Sequence, residues 1–314
     1  MHRLDSRLPV PDQLKGAVIA LGNFDGFHAG HQAVVGEAIR WARSEGRPAI
    51  VATFDPHPKR FFVPDAPWFR LTTLDQRADL FAAAGADAML VIHFDAGVAA
   101  MTGPEWIEQV LHHQFGAGGV VTGEDFTFGK GRSGTVTALR EIGARFGIGA
   151  KAVREVLDEG APISSTRIRA ALEAGDCATA TRLLTRPYTV RGVVQHGDQV
   201  GRKIGFPTAN LSLWHYMRPR YGIYAVRGRL PANGEFGGLV RDGAANVGIR
   251  PTFDPPVEWL EPYFFDFSGD LSGQEIEVEL HAFIRPEAKF DSLPELEAQI
   301  AADCLAAREL LARD

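Results

Sequence analysis

The chain has 314 residues, 45% of them hydrophobic and 23% charged, with a formal net charge of −6. That length exceeds the usual single domain and predicts two, made of ordinary globular material. The acidic balance excludes nonspecific attraction to nucleic acid or anionic membranes, and no apolar run approaches the ~20 residues of a membrane span.

No apolar stretch of a leader follows Met1-His2-Arg3-Leu4-Asp5-Ser6. Cys177 and Cys304 lie far apart without metal-ligand spacing, which fits packing residues in a reducing compartment. A cytoplasmic protein is expected.

The first half alternates short apolar runs with helical patterns. Strands are predicted at 17–21, 49–54, 87–92, 118–122 and 149–154, and helices, some of them broken, at 30–43, 73–84, 103–115, 135–146 and 165–184. Such alternation predicts a parallel sheet with right-handed crossovers, a doubly wound α/β domain. From Arg186-Pro187 to about residue 285 the pattern changes to short alternating runs punctuated by glycine and proline. These predict a closed or nearly closed antiparallel β-barrel. The alanine- and leucine-rich segment from Leu293 to Arg313 predicts a helix laid against that barrel. The expected domains are therefore 1–185 and 186–314.

One stretch organises the first domain: Gly22-Asn23-Phe24-Asp25-Gly26-Phe27-His28-Ala29-Gly30-His31, between the first strand and the first helix. Its glycines permit a sharp turn, and the free N–H groups at the helix start favour an anion. His28 and His31, three residues apart, share a face and can hold phosphate oxygens as charge builds during nucleotidyl transfer. Zinc ligation by the same pair would need a distant His57 or Asp55. Gly129-Lys130-Gly131-Arg132-Ser133-Gly134 has the outline of a dinucleotide fingerprint, but it follows the fourth strand and carries cations where backbone should approach pyrophosphate.

His-x-Gly-His after a first strand resembles the nucleotidyltransferase signature, and the longer string is similar to the FAD synthetase module of the prokaryotic bifunctional riboflavin kinase/FAD synthetase family. Three more segments carry that resemblance: Thr53-Phe54-Asp55-Pro56-His57-Pro58, Gly123-Glu124-Asp125-Phe126-Thr127-Phe128-Gly129, and Ile163-Ser164-Ser165-Thr166-Arg167-Ile168-Arg169. It implies a Rossmann-like nucleotidyltransferase domain in which Gly22, Asn23, Phe24, Asp25, His57, Asp125, Phe126, Phe128, Ser164, Ser165 and Thr166 bind substrate or nucleotide. His28, His31 and Arg167 then act on the phosphates. The FMN phosphate is already anionic, so adenylyl transfer needs alignment and charge stabilisation, not a strong base.

In the second half, Gly205-Phe206-Pro207-Thr208-Ala209-Asn210 resembles the riboflavin kinase motif. The resemblance places Thr208 and Asn210 on the Mg²⁺ of ATP, as hard oxygen ligands. Gly192, Gly197, Gly201 and Arg202-Lys203 resemble its glycine-rich flap, with Gly201, Arg202, Lys203, Gly205 and Pro207 on the nucleotide. Asn246-Val247-Gly248-Ile249-Arg250-Pro251-Thr252-Phe253 resembles a further family segment, and Gln299, Asp303 and Arg308 also match; Asn246 and Arg308 are implied substrate contacts. Glu261-Pro262-Tyr263-Phe264-Phe265-Asp266-Phe267 resembles the strand bearing the base that takes the riboflavin alcohol proton, so Glu261 takes that role. Tyr263, Ser272 and Thr185 depart from the family's histidine, tyrosine and glycine. The implied substrates are riboflavin, FMN and ATP, with no nucleic acid or membrane partner; self-association into a homo-oligomer is compatible with the sequence. The competing readings are another His-x-Gly-His nucleotidyltransferase, or a flavin-binding regulator with an inactive barrel.

Overall fold

The computed structural model describes residues 1–195, 206–230, 236–250 and 257–313. Its residues gather into two compact units, Met1–Ala66 with Leu74–Ile163, and Pro67–Thr73 with Ser164–Asp314.

The first unit is a parallel sheet of six strands: β1 (His2–Asp5), β2 (Val18–Leu21), β3 (Ala49–Asp55), β4 (Ala88–His93), β5 (Gly119–Gly123) and β6 (Gly149–Val153), in spatial order β1-β4-β3-β2-β5-β6. The intervening helices are α1 (Ala29–Ser44), α2 (Pro58–Phe62), α3 (Leu74–Ala83), α4 (Ala96–Ala100), α5 (Gly103–Trp106, running on as π-helix over Ile107–Gln114) and α6 (Val136–Gly143). Helices cover both sheet faces, which is why the central strands are unbroken apolar runs. Ile19, Leu21, Ile50, Ala52 and Val120 pack one way, with Trp106, Leu111 and Leu139. Val18, Ala20, Val51 and Val121 pack the other way, with Val34, Val35, Ala38 and Phe81. The strand order reverses at β2, which pairs with β3 on one side and β5 on the other. The crevice beyond the C-terminal ends of β2 and β5 is therefore the position where such a sheet binds ligands.

One feature differs from the sequence expectation. β1 is polar, exposed at its start and only four residues long, so no apolar run announces it; it adds as an edge strand to β4. The helical segment expected over 165–184 is one of the broken ones, made of α7 (Ser165–Ala174) and α8 (Cys177–Leu184). Gly175, left-handed at φ 80°, ends the first, and the Asp176 carboxylate accepts from the Thr179 N–H at 2.9 Å to start the second. A small hairpin, β7 (Leu157–Asp158) with β8 (Ala161–Pro162), precedes α7.

The second unit is a nearly closed antiparallel barrel built from β9 (Tyr188–Val193), β10 (Leu211–Ser212), β11 (Gly222–Arg229), β12 (Val240–Arg250), β13 (Val257–Phe264) and β14 (Glu275–Arg285). Among the described residues the order is β10-β13-β12-β11-β14-β9, and the Gln195 N–H donates to the Asn210 carbonyl at 2.9 Å between the two end strands. Val190, Leu211, Tyr224, Val226, Val247, Leu260, Val278 and Leu280 are fully buried inside. On the outer face Ala225, Ala244 and Phe265 pack against Ala307 and Leu311 of the C-terminal helix, Leu293–Leu311. Arg285 pins that helix by two bonds to the buried Asp303, at 2.8 and 2.7 Å.

This unit begins at Ser164, ahead of the boundary expected at Arg186. The reason is packing. Arg220 N–H donates to the Leu172 carbonyl at 2.9 Å, and at the α7–α8 joint a Cβ on Gly175 would stand 3.1 Å from the Phe283 ring. Cys177, Ala180, Leu183 and Leu184 are buried. Burying a leucine contributes about 1.5–3 kcal/mol, against ~5–15 kcal/mol for a whole domain. A fragment of residues 186–314 is therefore expected to unfold in urea at a clearly lower midpoint than residues 164–314. Equal midpoints would show that α7 and α8 add nothing to the barrel.

Candidate active site

After β2 the chain turns through Gly22-Asn23-Phe24-Asp25-Gly26-Phe27 into α1 with positive φ at Phe24 (48°), Gly26 (86°) and Phe27 (44°). Left-handed backbone at a phenylalanine is strained by about 1–3 kcal/mol. Both rings are buried against Phe81, which offsets that strain. His28 caps α1, its Nδ1 accepting from the His31 N–H at 3.3 Å. With Nδ1 so used, a neutral His28 carries its proton on Nε2. The two imidazoles stack at 3.6 Å, with Phe24 edge-on to His31. The glycine of His-x-Gly-His is also explained: a Cβ at Gly30 would press on the His28 ring at 3.2 Å.

Beneath the turn lies a polar group the sequence reading missed. The Thr53 hydroxyl donates to the Asn23 carbonyl at 2.7 Å. Arg77 Nη1 reaches the same carbonyl at 3.2 Å and Thr53 Oγ1 at 2.9 Å, while Nη2 lies 3.7 Å from the Asp25 carboxylate. Arg77 and Asp25 are each 2% exposed. The signal available was an arginine on the face of α3 that also carries Ala78 and Phe81. Asn23 Oδ1 is buried without a hydrogen-bond partner among the described residues.

His57 ends the neighbouring β3 segment and caps α2, its Nδ1 accepting from the Lys59 N–H at 3.1 Å. Beyond β5, Asp125 is exposed and Phe126 half-buried. Phe128 lies in the core, its ring 5.1 Å from Trp106, so it shapes the loop from within. The glycine-rich outline after it serves packing: a Cβ at Gly134 would meet the Phe128 ring at 2.5 Å, and one at Gly129 the Gly103 nitrogen at 2.6 Å. Ser164 caps α7 in the second unit, accepting from the Arg167 N–H at 3.3 Å. Ser165 and Arg167 are half-buried and Thr166 is exposed.

The barrel assembles its own row. Leu211 pairs with Leu260, and the Ala209 N–H donates to the Pro262 carbonyl at 2.9 Å. That continued ladder sets Asn210 across from Glu261, and Asn246 is the partner of Glu261 on β12. Leu211, Leu260 and Val247 fill the interior. Alternation then turns Asn210, Glu261 and Asn246 to the outer face together. Thr208, two residues before Asn210, is exposed beside Pro207; Phe206 packs edge-on to Tyr263 at 5.3 Å. Asn210 Nδ2 donates to the Gln195 carbonyl at 3.4 Å. Two neutral oxygens beside a carboxylate suit a hard divalent cation such as Mg²⁺. Asn246 Nδ2 donates to Glu287 at 3.2 Å, a carboxylate not singled out from the sequence, and its Oδ1 is buried without a partner among the described residues.

Gly197, Gly201, Arg202, Lys203, Gly205 and Pro251-Thr252-Phe253 lie outside the described residues. Arg308 is not brought to the Glu261 row. Its guanidinium forks onto Asp266 at 3.1 and 3.3 Å and lies over the Phe265 ring, past the end of β13. There it borders a cavity of about 390 Å³ with Arg227, Arg241 and Asp242. Burial pushes the Cys177 thiol up to about 12 and Cys304 to about 11, in keeping with packing roles.

Comparison with known proteins finds two family models in order along the chain. The FAD synthetase family model matches residues 10–167, and the riboflavin kinase model matches residues 184–311. The bifunctional riboflavin kinase/FMN adenylyltransferase of Escherichia coli K12 is 38% identical over 299 residues, covering 94% of this chain and 93% of that protein. Its Bacillus subtilis counterpart is 36% identical over 300 residues, with 94% and 92% covered. A Streptococcus pneumoniae crystal structure described as a macrolide-efflux protein superposes with a TM-score of 0.84 at 31% identity, covering 96% of this chain and 97% of that one. No helix among the described residues is long and apolar enough to cross a membrane. With both family models matched in order and relatives similar over nearly their full length, this chain belongs to the bifunctional riboflavin kinase/FMN adenylyltransferase family.

Proposed function

We infer that the barrel phosphorylates riboflavin to FMN with ATP, and that the histidine turn then transfers an adenylyl group from a second ATP to FMN, giving FAD and pyrophosphate. The observation that carries the reading is the row Asn210, Glu261 and Asn246, which joins a hard-ligand amide to a carboxylate base on adjacent strands.

In the kinase step Glu261 takes the proton of the riboflavin primary alcohol as its oxygen attacks the γ-phosphorus of ATP and ADP leaves. Thr208 and Asn210 would hold Mg²⁺, which when bound neutralises phosphate charge. In the second step an FMN phosphate oxygen attacks the α-phosphorus of ATP. The His28 Nε2–H, the His31 imidazole and the N–H groups at the start of α1 stabilise the departing pyrophosphate. Arg167 and the hydroxyls of Ser164, Ser165 and Thr166 are assigned to nucleotide phosphates from sequence resemblance. We place the functional boundary at 185/186, a reading supported by family models that end at 167 and begin at 184. We take the protein to act on these small molecules in the cytoplasm, with self-association as a homo-oligomer open to sedimentation analysis.

Incubating the purified chain with riboflavin, ATP and Mg²⁺, then separating the flavins, tests the whole reading: FMN and FAD should both form. Thr208→Ala and Asn210→Ala should each reduce FMN formation by at least about tenfold, roughly 1.4 kcal/mol. FAD formation from supplied FMN should stay parental in both. Riboflavin phosphorylation at the parental rate in both variants would refute the barrel assignment.

A further inference from the structure

The Asn23–Asp25 turn rests on a charged side chain buried among apolar groups. Arg77 is 2% exposed and lies on a helix whose Ala78 and Phe81 pack with Phe24, Phe27 and Val121. A buried ion pair is weak ground for stability, since apolar groups of similar volume are commonly as good or better there. Position is what the arginine does control. A guanidinium presents donors in a fixed fork, and here one arm spans the Asn23 carbonyl at 3.2 Å and Thr53 Oγ1 at 2.9 Å while the other faces Asp25 at 3.7 Å. Thr53 adds the second donor to that carbonyl, at 2.7 Å. Both acceptor sites of the Asn23 carbonyl are thereby used, so the residue is held by its backbone. Its side-chain oxygen is left buried without a partner among the described residues, an arrangement that is costly unless a ligand supplies a donor.

We propose that Arg77, acting with Thr53, is a positioning residue for adenylyl transfer, which fixes Asn23 so that its side-chain oxygen accepts an N–H or O–H donor from the adenine nucleotide. The proposal rests on the reading of the histidine turn as the adenylyl-transfer site. Arg77 does not touch the reacting atoms. A lysine keeps the charge but cannot span carbonyl, hydroxyl and carboxylate together, so the turn drifts while the ion pair survives.

The test uses the intact chain, with riboflavin phosphorylation as an internal measure of folding. Arg77→Lys should lower kcat/KM for ATP in FAD formation by about 10- to 100-fold, the scale of a misplacement near 1 Å. The change should fall mainly on the KM for ATP, with the KM for FMN and the rate of FMN formation near parental. Thr53→Val should lower kcat/KM for ATP about tenfold, and Thr53→Ser, which restores the hydroxyl, should return it to near the parental value. Parental ATP kinetics in both Arg77→Lys and Thr53→Val, with His28→Asn blocking FAD formation, would overturn the positioning role alone. Equal losses in Thr53→Ser and Thr53→Val would overturn it too, because the hydroxyl would then be irrelevant. Full FAD formation by His28→Asn would remove the site reading and the proposal with it.

Discussion

Glu261→Gln in the intact chain should leave riboflavin unphosphorylated while supplied FMN is still converted to FAD. The substitution keeps the volume and hydrogen-bonding span of the side chain on β13, so the row with Asn210 and Asn246 is undisturbed. The amide cannot accept the alcohol proton, and loss of a positioned base lowers rates by about 10²–10⁴-fold. Flavin separation after incubation with riboflavin and ATP should show substrate persisting. Glu258, also on β13, is a weaker candidate because it lacks the motif's spacing to Asp266-Phe267; its carboxylate pairs with Arg218 at 3.0 Å. Should Glu261→Gln block adenylylation of added FMN as well, the two sites are not independent and the mechanism fails.

The complementary result concerns the histidines. His28→Ala would also delete the cap of α1, a loss of about 0.5–2 kcal/mol that confuses stability with catalysis. His28→Asn keeps a capping acceptor while removing the imidazole with its Nε2–H and its stacking on His31, and joined with His31→Ala it removes both imidazole donors. Losing one such donor lowers the rate by about 10²–10³-fold. Riboflavin should then stop at FMN, which accumulates. Mixing this double variant with Glu261→Gln should restore FAD through free FMN. An FAD rate within threefold of parental in the double variant would show that the imidazoles hold no part of the phosphate charge.

Much of this was legible before any coordinates. The parallel sheet followed from apolar runs such as 17–21 and 49–54, because strands buried on both faces need no alternation. The motifs also name His28, His31, Thr208, Asn210 and Glu261 as candidates, and the structure stacks His28 on His31 and sets Asn210 across from Glu261. The departure at Thr185 gains a meaning only from the fold: it caps α8 in the left-handed region at φ 63°, where the family's glycine is unstrained. For Arg308 the motif match implies a substrate contact, and only the fold gives its neighbour: the guanidinium is paired with Asp266 past the end of β13.

What the sequence determined by itself was local and periodic: two architectures in series, a sharp glycine turn into a helix, and the chemical type of each motif. Such features depend on neighbours within a few residues, which the chain states directly. Only the tertiary structure decided which distant residues meet. Strand register set Asn210 and Asn246 on either side of Glu261, since a slip of one residue would turn the carboxylate into the barrel. Packing of α3 under the sheet end brought Arg77 to Asn23 and Thr53. Packing on the barrel drew α7 and α8 into the second unit through Gly175, Leu172 and Arg220. These are contacts between segments far apart in the chain, and no local pattern encodes them.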